Sequence, residues 1–240
     1  MDIPCGTNDL LIRVRNIDAL LANANDATAC LSPKELERFD AITSPHRGKT
    51  WLAGRYLAKM MACYLVPGTA MRDLELCSTD ESGRGIPPYF TCREMSCPLF
   101  FSMSHSDREV AVAMSRQPKY WLGIDLIDLS CSSGRFGRIW NHWLTGAEKK
   151  QVFPTDRREI ARRWALKEAA YKSMRHTQTG FSPLRFEVLR DETLCGSWHI
   201  RYCGKTVFRY ESITTLESTD SLFALVCRRG KTETSLSASP

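Results

Sequence analysis

The chain reads as two similar halves, and that repetition constrains its fold more than any other feature. Sliding the 240-residue sequence against itself by 113 positions brings element types into step. Leu31-Ser32-Pro33-Lys34-Glu35 falls on Leu144-Thr145-Gly146-Ala147-Glu148, and Trp51 with Lys59 falls on Trp164 with Lys172. Arg72-Asp73-Leu74-Glu75-Leu76 meets Arg185-Phe186-Glu187-Val188-Leu189, and Val110-Ala111-Val112 meets Phe223-Ala224-Leu225. Identities at this offset are hardly above chance; what matches is the kind of element. Each half begins with a strand, about 10–15 and 122–127, and continues with a helix entered by Leu-Ser/Thr-x-x-Glu, a reciprocal capping pattern. A long helix carrying the Trp comes next, then β-rich segments ending in an alternating strand at 108–114 and 221–227. The pattern predicts an α+β fold of two similar α/β lobes, 1–117 and 118–228, joined near Arg116-Gln117-Pro118-Lys119, with an active site between them. The polar, Ser/Thr-rich stretch 229–240 reads as a disordered tail.

No apolar run reaches the roughly 18 residues needed to cross a bilayer, and the N-terminus lacks a secretory leader's basic and apolar regions. The expectation is a cytoplasmic monomer with no membrane partner. Ten cysteines are scattered without C-x-x-C spacing, which favours reduced structural thiols over a disulfide framework. A net charge of +6 predicts an acidic partner. A nucleotide, an acidic protein or nucleic acid would each satisfy it. The absence of a recognition module with clustered arginines and aromatics argues against nucleic acid.

Two segments carry chemistry. Gly123-Ile124-Asp125-Leu126-Ile127-Asp128 reads as an apolar strand with a carboxylate in its middle, and Trp164-Ala165-Leu166-Lys167-Glu168-Ala169-Ala170-Tyr171-Lys172 as a helix with Glu168 and Lys172 one turn apart. Asp125 and Glu168 are oxygen ligands suited to Mg²⁺ shared with phosphates, and Lys172 suits the phosphates themselves. Taken singly, Asp125 could end a strand and Glu168–Lys172 could be an ordinary i, i+4 surface pair. Ala161, Ala165 and Ala169 beside this ridge permit close approach of another backbone or of a nucleotide. At the 113-residue offset Asp125 and Glu168 fall on Ile12 and Arg55, so the second half alone can hold a metal.

Together the two segments resemble the G-[IV]-D and [WF]-x-x-K-E-[AS]-x-x-K signatures of the 4′-phosphopantetheinyl transferase superfamily, and the two-lobed layout resembles its Sfp-type branch. Phe100-Phe101-Ser102-Met103-Ser104-His105-Ser106-Asp107 is similar to that branch's [FN]-x-S-x-S-H-[ST] element, whose Ser and His contact coenzyme A phosphates; this implies Ser104 and His105. The stretch around Trp51-Leu52-Ala53-Gly54 resembles R-x-x-x-[FL]-x-[AG]-R, a helix facing the nucleotide. It implies Arg55, with Arg47 or Lys49 substituting for an Arg often found at Thr50. Gly83-Arg84-Gly85-Ile86-Pro87 resembles a G-K-P turn, with Arg84 as stand-in. One departure concerns the metal. Ile127 stands where Sfp-type enzymes carry a second acid, and Asp128 matches the spacing of the small holo-acyl-carrier-protein synthases instead, although a regular strand aims it the other way. The resemblance implies transfer of 4′-phosphopantetheine from coenzyme A to a serine of an acyl or peptidyl carrier protein, releasing adenosine 3′,5′-bisphosphate. Mg²⁺ would sit on Asp125 and Glu168, Glu168 would take the serine proton, Lys172 would clamp phosphate, and Lys167 could assist nearby. The rival is a relative that binds coenzyme A or a carrier protein without catalysis.

Overall fold

Strand β2 (Leu10–Asn16) buries every second side chain, as an amphipathic strand should, and around it the chain builds a mixed α and β structure. The computed structural model describes residues 2–4, 10–80, 82–93, 95–117, 120–130, 140–174, 180–190, 198–204, 210–217 and 220–229. The expected tail beyond Arg229 and residues 118–119 of the expected join lie outside them. One antiparallel sheet has the order β1 (Asp2–Pro4), β2, β7 (Glu109–Ser115), β6 (Phe100–His105); another is β11 (Tyr210–Glu217), β12 (Ser221–Arg229), β8 (Tyr120–Asp128). Two smaller sheets are β3 (Leu74–Thr79), β4 (Gly85–Cys92), β5 (Met95–Cys97) and the hairpin β9 (Phe186–Arg190), β10 (Trp198–Tyr202). The described helices include α1 (Ile17–Ala22), α2 (Pro33–Asp40), α3 (Pro45–Leu65), α4 (Gly146–Gln151) and α5 (Arg157–Lys172). None of the described helices is long and apolar enough to cross a membrane, and the described cysteines are free thiols.

The apolar faces dictate a helix–sheet–sheet–helix stack. Leu57 and Met61 of α3 pack on Val110, Val112 and Met114. On the other face of that sheet, Leu10, Ile12, Val14 and Ala111 meet Leu122, Ile124, Leu126 and Phe223 of the second sheet. The outer face of the second sheet takes α5, through Ala161, Ala165 and Ala169 against Leu222 and Ala224. The alanines therefore serve close helix–sheet packing. Gly123 marks the closest approach: a Cβ there would lie 1.8 Å from the Ala169 carbonyl oxygen. At one margin of the stack the edge strands β6 and β8 meet without a backbone ladder. Ser102 Oγ accepts the Ile124 N–H (3.1 Å) and Ser104 Oγ accepts the Leu126 N–H (3.2 Å).

Both predicted capping boxes form, Ser32 with Glu35 and Thr145 with Glu148. Each box sits inside a larger buried arrangement that occurs twice. Glu35 Oε2 accepts from its own N-cap amide and from Lys59, Oε1 accepts from Leu76 N–H (3.1 Å), and Lys59 also donates to the Cys30 carbonyl (2.8 Å). Glu148 Oε2 accepts from Thr145 N–H and Lys167 (2.7 Å), Oε1 accepts from Val188 N–H (3.0 Å), and Lys167 donates to the Trp143 carbonyl (2.8 Å). All four charged side chains are fully buried. Satisfied in this way, they meet the condition under which buried charge is tolerated.

These bonds correct the uniform 113-residue register. The role of Lys59 belongs to Lys167, not Lys172, because the first half has five more residues between its capping Glu and its buried Lys. In the strands the gapless offset inverts the faces: it sets Val110, which faces α3, on Phe223, which faces the other sheet. A shift of 112 restores them, since a one-residue slip flips a strand's side chains. Asp125 then falls on Arg13 by the strand shift, and Glu168 on Met60 by the match of Lys59 with Lys167, rather than on Ile12 and Arg55.

Candidate active site

Strand β8 delivers Asp125 onto the face covered by α5, and the last turn of α5 returns Glu168 and Lys172 beside it. Asp125 is buried, and its Oδ1 accepts both the Lys172 ammonium (2.8 Å) and the Ser104 hydroxyl (2.9 Å). Lys172 Nζ is also 3.3 Å from Ser104 Oγ. Among the described residues Asp125 Oδ2 and the Glu168 carboxylate have no hydrogen-bonding partner. Burial, followed by the charge of Asp125, pushes the Glu168 carboxyl above its ordinary value, with Lys172 opposing. His105 ends β6 at the rim. Although its surface is exposed, burial of its surroundings and then the Lys172 ammonium hold its imidazole below the usual histidine value, against the pull of Asp125. Near it His46, in the first turn of α3, pairs with Asp107 at 3.2 Å.

Lys172 also borders a cavity of about 410 Å³, lined in addition by Gly85, Ile86, Pro87, Phe101, Met103 and Tyr171. Its walls thus come from both halves of the chain. Arg84 is exposed on the turn leading into this wall, a turn tied by Asp80 Oδ1 to the Ser82 and Arg84 amides (2.9 Å each) and opened by Gly83 at φ +78°. That φ is easy for glycine and costly for other residues.

The donor set suits Mg²⁺. The charge of Asp125 raises the proton affinity of Glu168, and the unpartnered oxygens of the two carboxylates offer the hard ligands such an ion takes. Among the described residues no three His, Cys, Asp or Glu side chains cluster as a metal cage.

The structure therefore brings Asp125, Glu168, Lys172, Ser104 and His105 together, and it places other candidates elsewhere. Arg55 is buried, paired with Glu35 (3.4 Å) and stacked over Trp51, and burial pushes its guanidinium down to about 10. It is built into the core. Lys49 pairs with Asp18, while Arg47 stays exposed on the first turn of α3. Lys167 is committed to Glu148 and two carbonyls and has no hydrogen bond to the site. Asp128 is held by Arg108 (2.9 and 3.1 Å) and by the Ser130 amide, at the end of a strand whose pairing with β12 has no bulge. Sequence reasoning missed the cavity residues Met103 and Tyr171 and the role of Ser102; the period-two spacing of Ser102 and Ser104 was the available signal.

Residues 122–225 match the model of the 4′-phosphopantetheinyl transferase superfamily. The match spans less than half of the chain, from within β8 into β12, and contains Asp125, Glu168 and Lys172. No curated protein matches the chain.

Proposed function

We propose that the protein is a 4′-phosphopantetheinyl transferase of the two-lobed Sfp type, moving 4′-phosphopantetheine from coenzyme A to a serine of an acyl or peptidyl carrier protein. The observation that carries this reading is the gathering of Asp125, Glu168 and Lys172 with His105 beside a cavity walled by both halves. The matched family segment supports it from the sequence side. The lobes are 1–117 and 118–228, and the buried Glu–Lys arrangement found once in each supports their origin as copies of one unit. Only the second copy carries the two acids.

Mg²⁺, when bound by Asp125 and Glu168, supplies charge neutralisation for the phosphates. Lys172, at the junction of the acids and the cavity, clamps a phosphate oxygen. His105 carries a depressed pKa in the free protein and so offers a neutral N–H donor until an anionic ligand draws it toward protonation. Arg47 and Arg84, both exposed near the cavity or the α3 start, add positive charge for the nucleotide. Glu168 takes the serine proton as general base. A net positive chain suits an acidic carrier surface.

The test is mass spectrometry of an apo carrier protein incubated with the full chain, coenzyme A and Mg²⁺. Addition of one phosphopantetheinyl group is expected. An unmodified carrier with coenzyme A still bound would favour the non-catalytic reading.

A further inference from the structure

The hydroxyl of Ser104 can donate one hydrogen bond and accept two, and its contacts with Asp125, Leu126 and Lys172 use all three inside the protein. An ionised carboxylate can only accept, so the 2.9 Å contact with Asp125 Oδ1 commits the Ser104 proton to Asp125. A lone pair of the same oxygen accepts the Leu126 N–H at 3.2 Å. Ser104 is itself buried. A hydroxyl fixed at both ends is poorly placed to donate to a phosphate. It is well placed to fix a carboxylate: with Lys172 it pins Oδ1, which leaves Oδ2 as the oxygen turned to a ligand. The pin crosses the margin between the two main sheets, because Ser104 belongs to β6 and Asp125 to β8.

We infer that Ser104 is a positioning residue that sets the orientation of the Asp125 carboxylate for a divalent cation, and is not a phosphate contact. Ser102 serves as an internal comparison. It makes the same kind of backbone bond, accepting the Ile124 N–H at 3.1 Å, yet hydrogen-bonds no carboxylate among the described residues. The inference rests on the metal reading proposed above. Hydrogen bonds that orient metal-bound carboxylates change metal affinity by about 10- to 100-fold when removed.

The experiment measures Mn²⁺ binding to the full chain by electron paramagnetic resonance without coenzyme A, and coenzyme A binding separately in EDTA. Ser104→Ala should raise the Mn²⁺ Kd by about 10-fold or more and leave coenzyme A affinity in EDTA unchanged. Ser102→Ala should leave Mn²⁺ affinity unchanged, and Ser104→Thr, which keeps the hydroxyl, should bind Mn²⁺ close to wild type. If Ser104→Ala does not fold, Ser104→Cys replaces it in the comparison with Ser104→Thr, since a thiol is a weak donor. Equal Mn²⁺ losses in the Ser102 and Ser104 variants would reduce Ser104 to a packing role and overturn the inference. So would unchanged Mn²⁺ binding with weakened coenzyme A binding. Wild-type protein without affinity for Mn²⁺ would instead refute the metal reading, and the inference would fall with its premise.

Discussion

Replacing Gly123 with alanine is the sharpest test of how the site is assembled. The new Cβ would sit 1.8 Å from the Ala169 carbonyl oxygen, 2.7 Å from the Ser173 amide nitrogen and 2.8 Å from the Ala169 carbonyl carbon, and all three are backbone atoms that no rotamer change can move. Bringing the shortest contact even to 3.0 Å requires α5 and β8 to separate by about 1.2 Å. Overpacking of this kind costs roughly 1–3 kcal/mol, and a clash against backbone belongs at the upper end. For a chain of this length each kcal/mol lowers Tm by about 2–4 °C, so a drop of roughly 6–12 °C is expected. Glu168 neighbours Ala169 and rides on the displaced turn while Asp125 stays on the strand. A misplacement of about 1 Å at reacting groups is worth on the order of 100-fold in rate. Circular dichroism melts read the first effect, and carrier modification followed by mass spectrometry, at a temperature where the variant is folded, reads the second. A variant that melts with wild type and transfers at the wild-type rate would show that α5 does not seat on β8 as described.

Lys167→Met should strand the buried Glu148 carboxylate and cost about 3–5 kcal/mol, yet the protein that remains folded at low temperature should transfer normally; a rate lost without a stability loss would return Lys167 to the chemistry. Because burial raises the Glu168 pKa in the folded protein, its contribution to stability is present at pH below the ordinary carboxylate range and is lost as pH rises through the raised value. Glu168→Gln should therefore melt at or above wild type at pH 8 in EDTA, be inactive, and lose that advantage when saturating Mg²⁺ stabilises the wild type; a lower melting point in EDTA would contradict the pKa argument. Asp128→Asn should cost roughly 1 kcal/mol through its half-exposed partner Arg108 and keep transfer, whereas Asp125→Asn should abolish it. Comparable activity losses in the two would place Asp128 in the site.

The sequence carried the strands, the two capped helices and the long helices, because alternation and capping are local signals. It also brought Asp125, Glu168 and Lys172 together, since i, i+4 spacing fixes two of them on one ridge and the strand period fixes the face of the third. What it hid were tertiary relations. A gapless comparison cannot register five residues gained before Lys59 and largely lost again before Leu76, so it matched Lys59 to the wrong lysine. The resemblance to a nucleotide-facing helix motif assigned Arg55 to the ligand, while in the fold it pairs with buried Glu35. The buried Glu35 that receives it is contributed by another helix, and no spacing rule connects the two. The partners of Ser104, Asp125 and Leu126, come from β8, two strands further along the chain, and that juxtaposition exists only in the fold.

The serine-bridged margin between β6 and β8 also bears on solubility. Each of these strands is a sheet edge, and β8, with Trp121, Leu122, Ile124, Leu126 and Ile127, has the apolar character that makes an unguarded edge a template for association between chains. By turning the two edges toward one another, the protein uses each half as the other's cover. Neither half of the chain would then be a benign fragment: a first half made alone would expose β6, a second half made alone would expose β8, and the halves would be obliged to travel together.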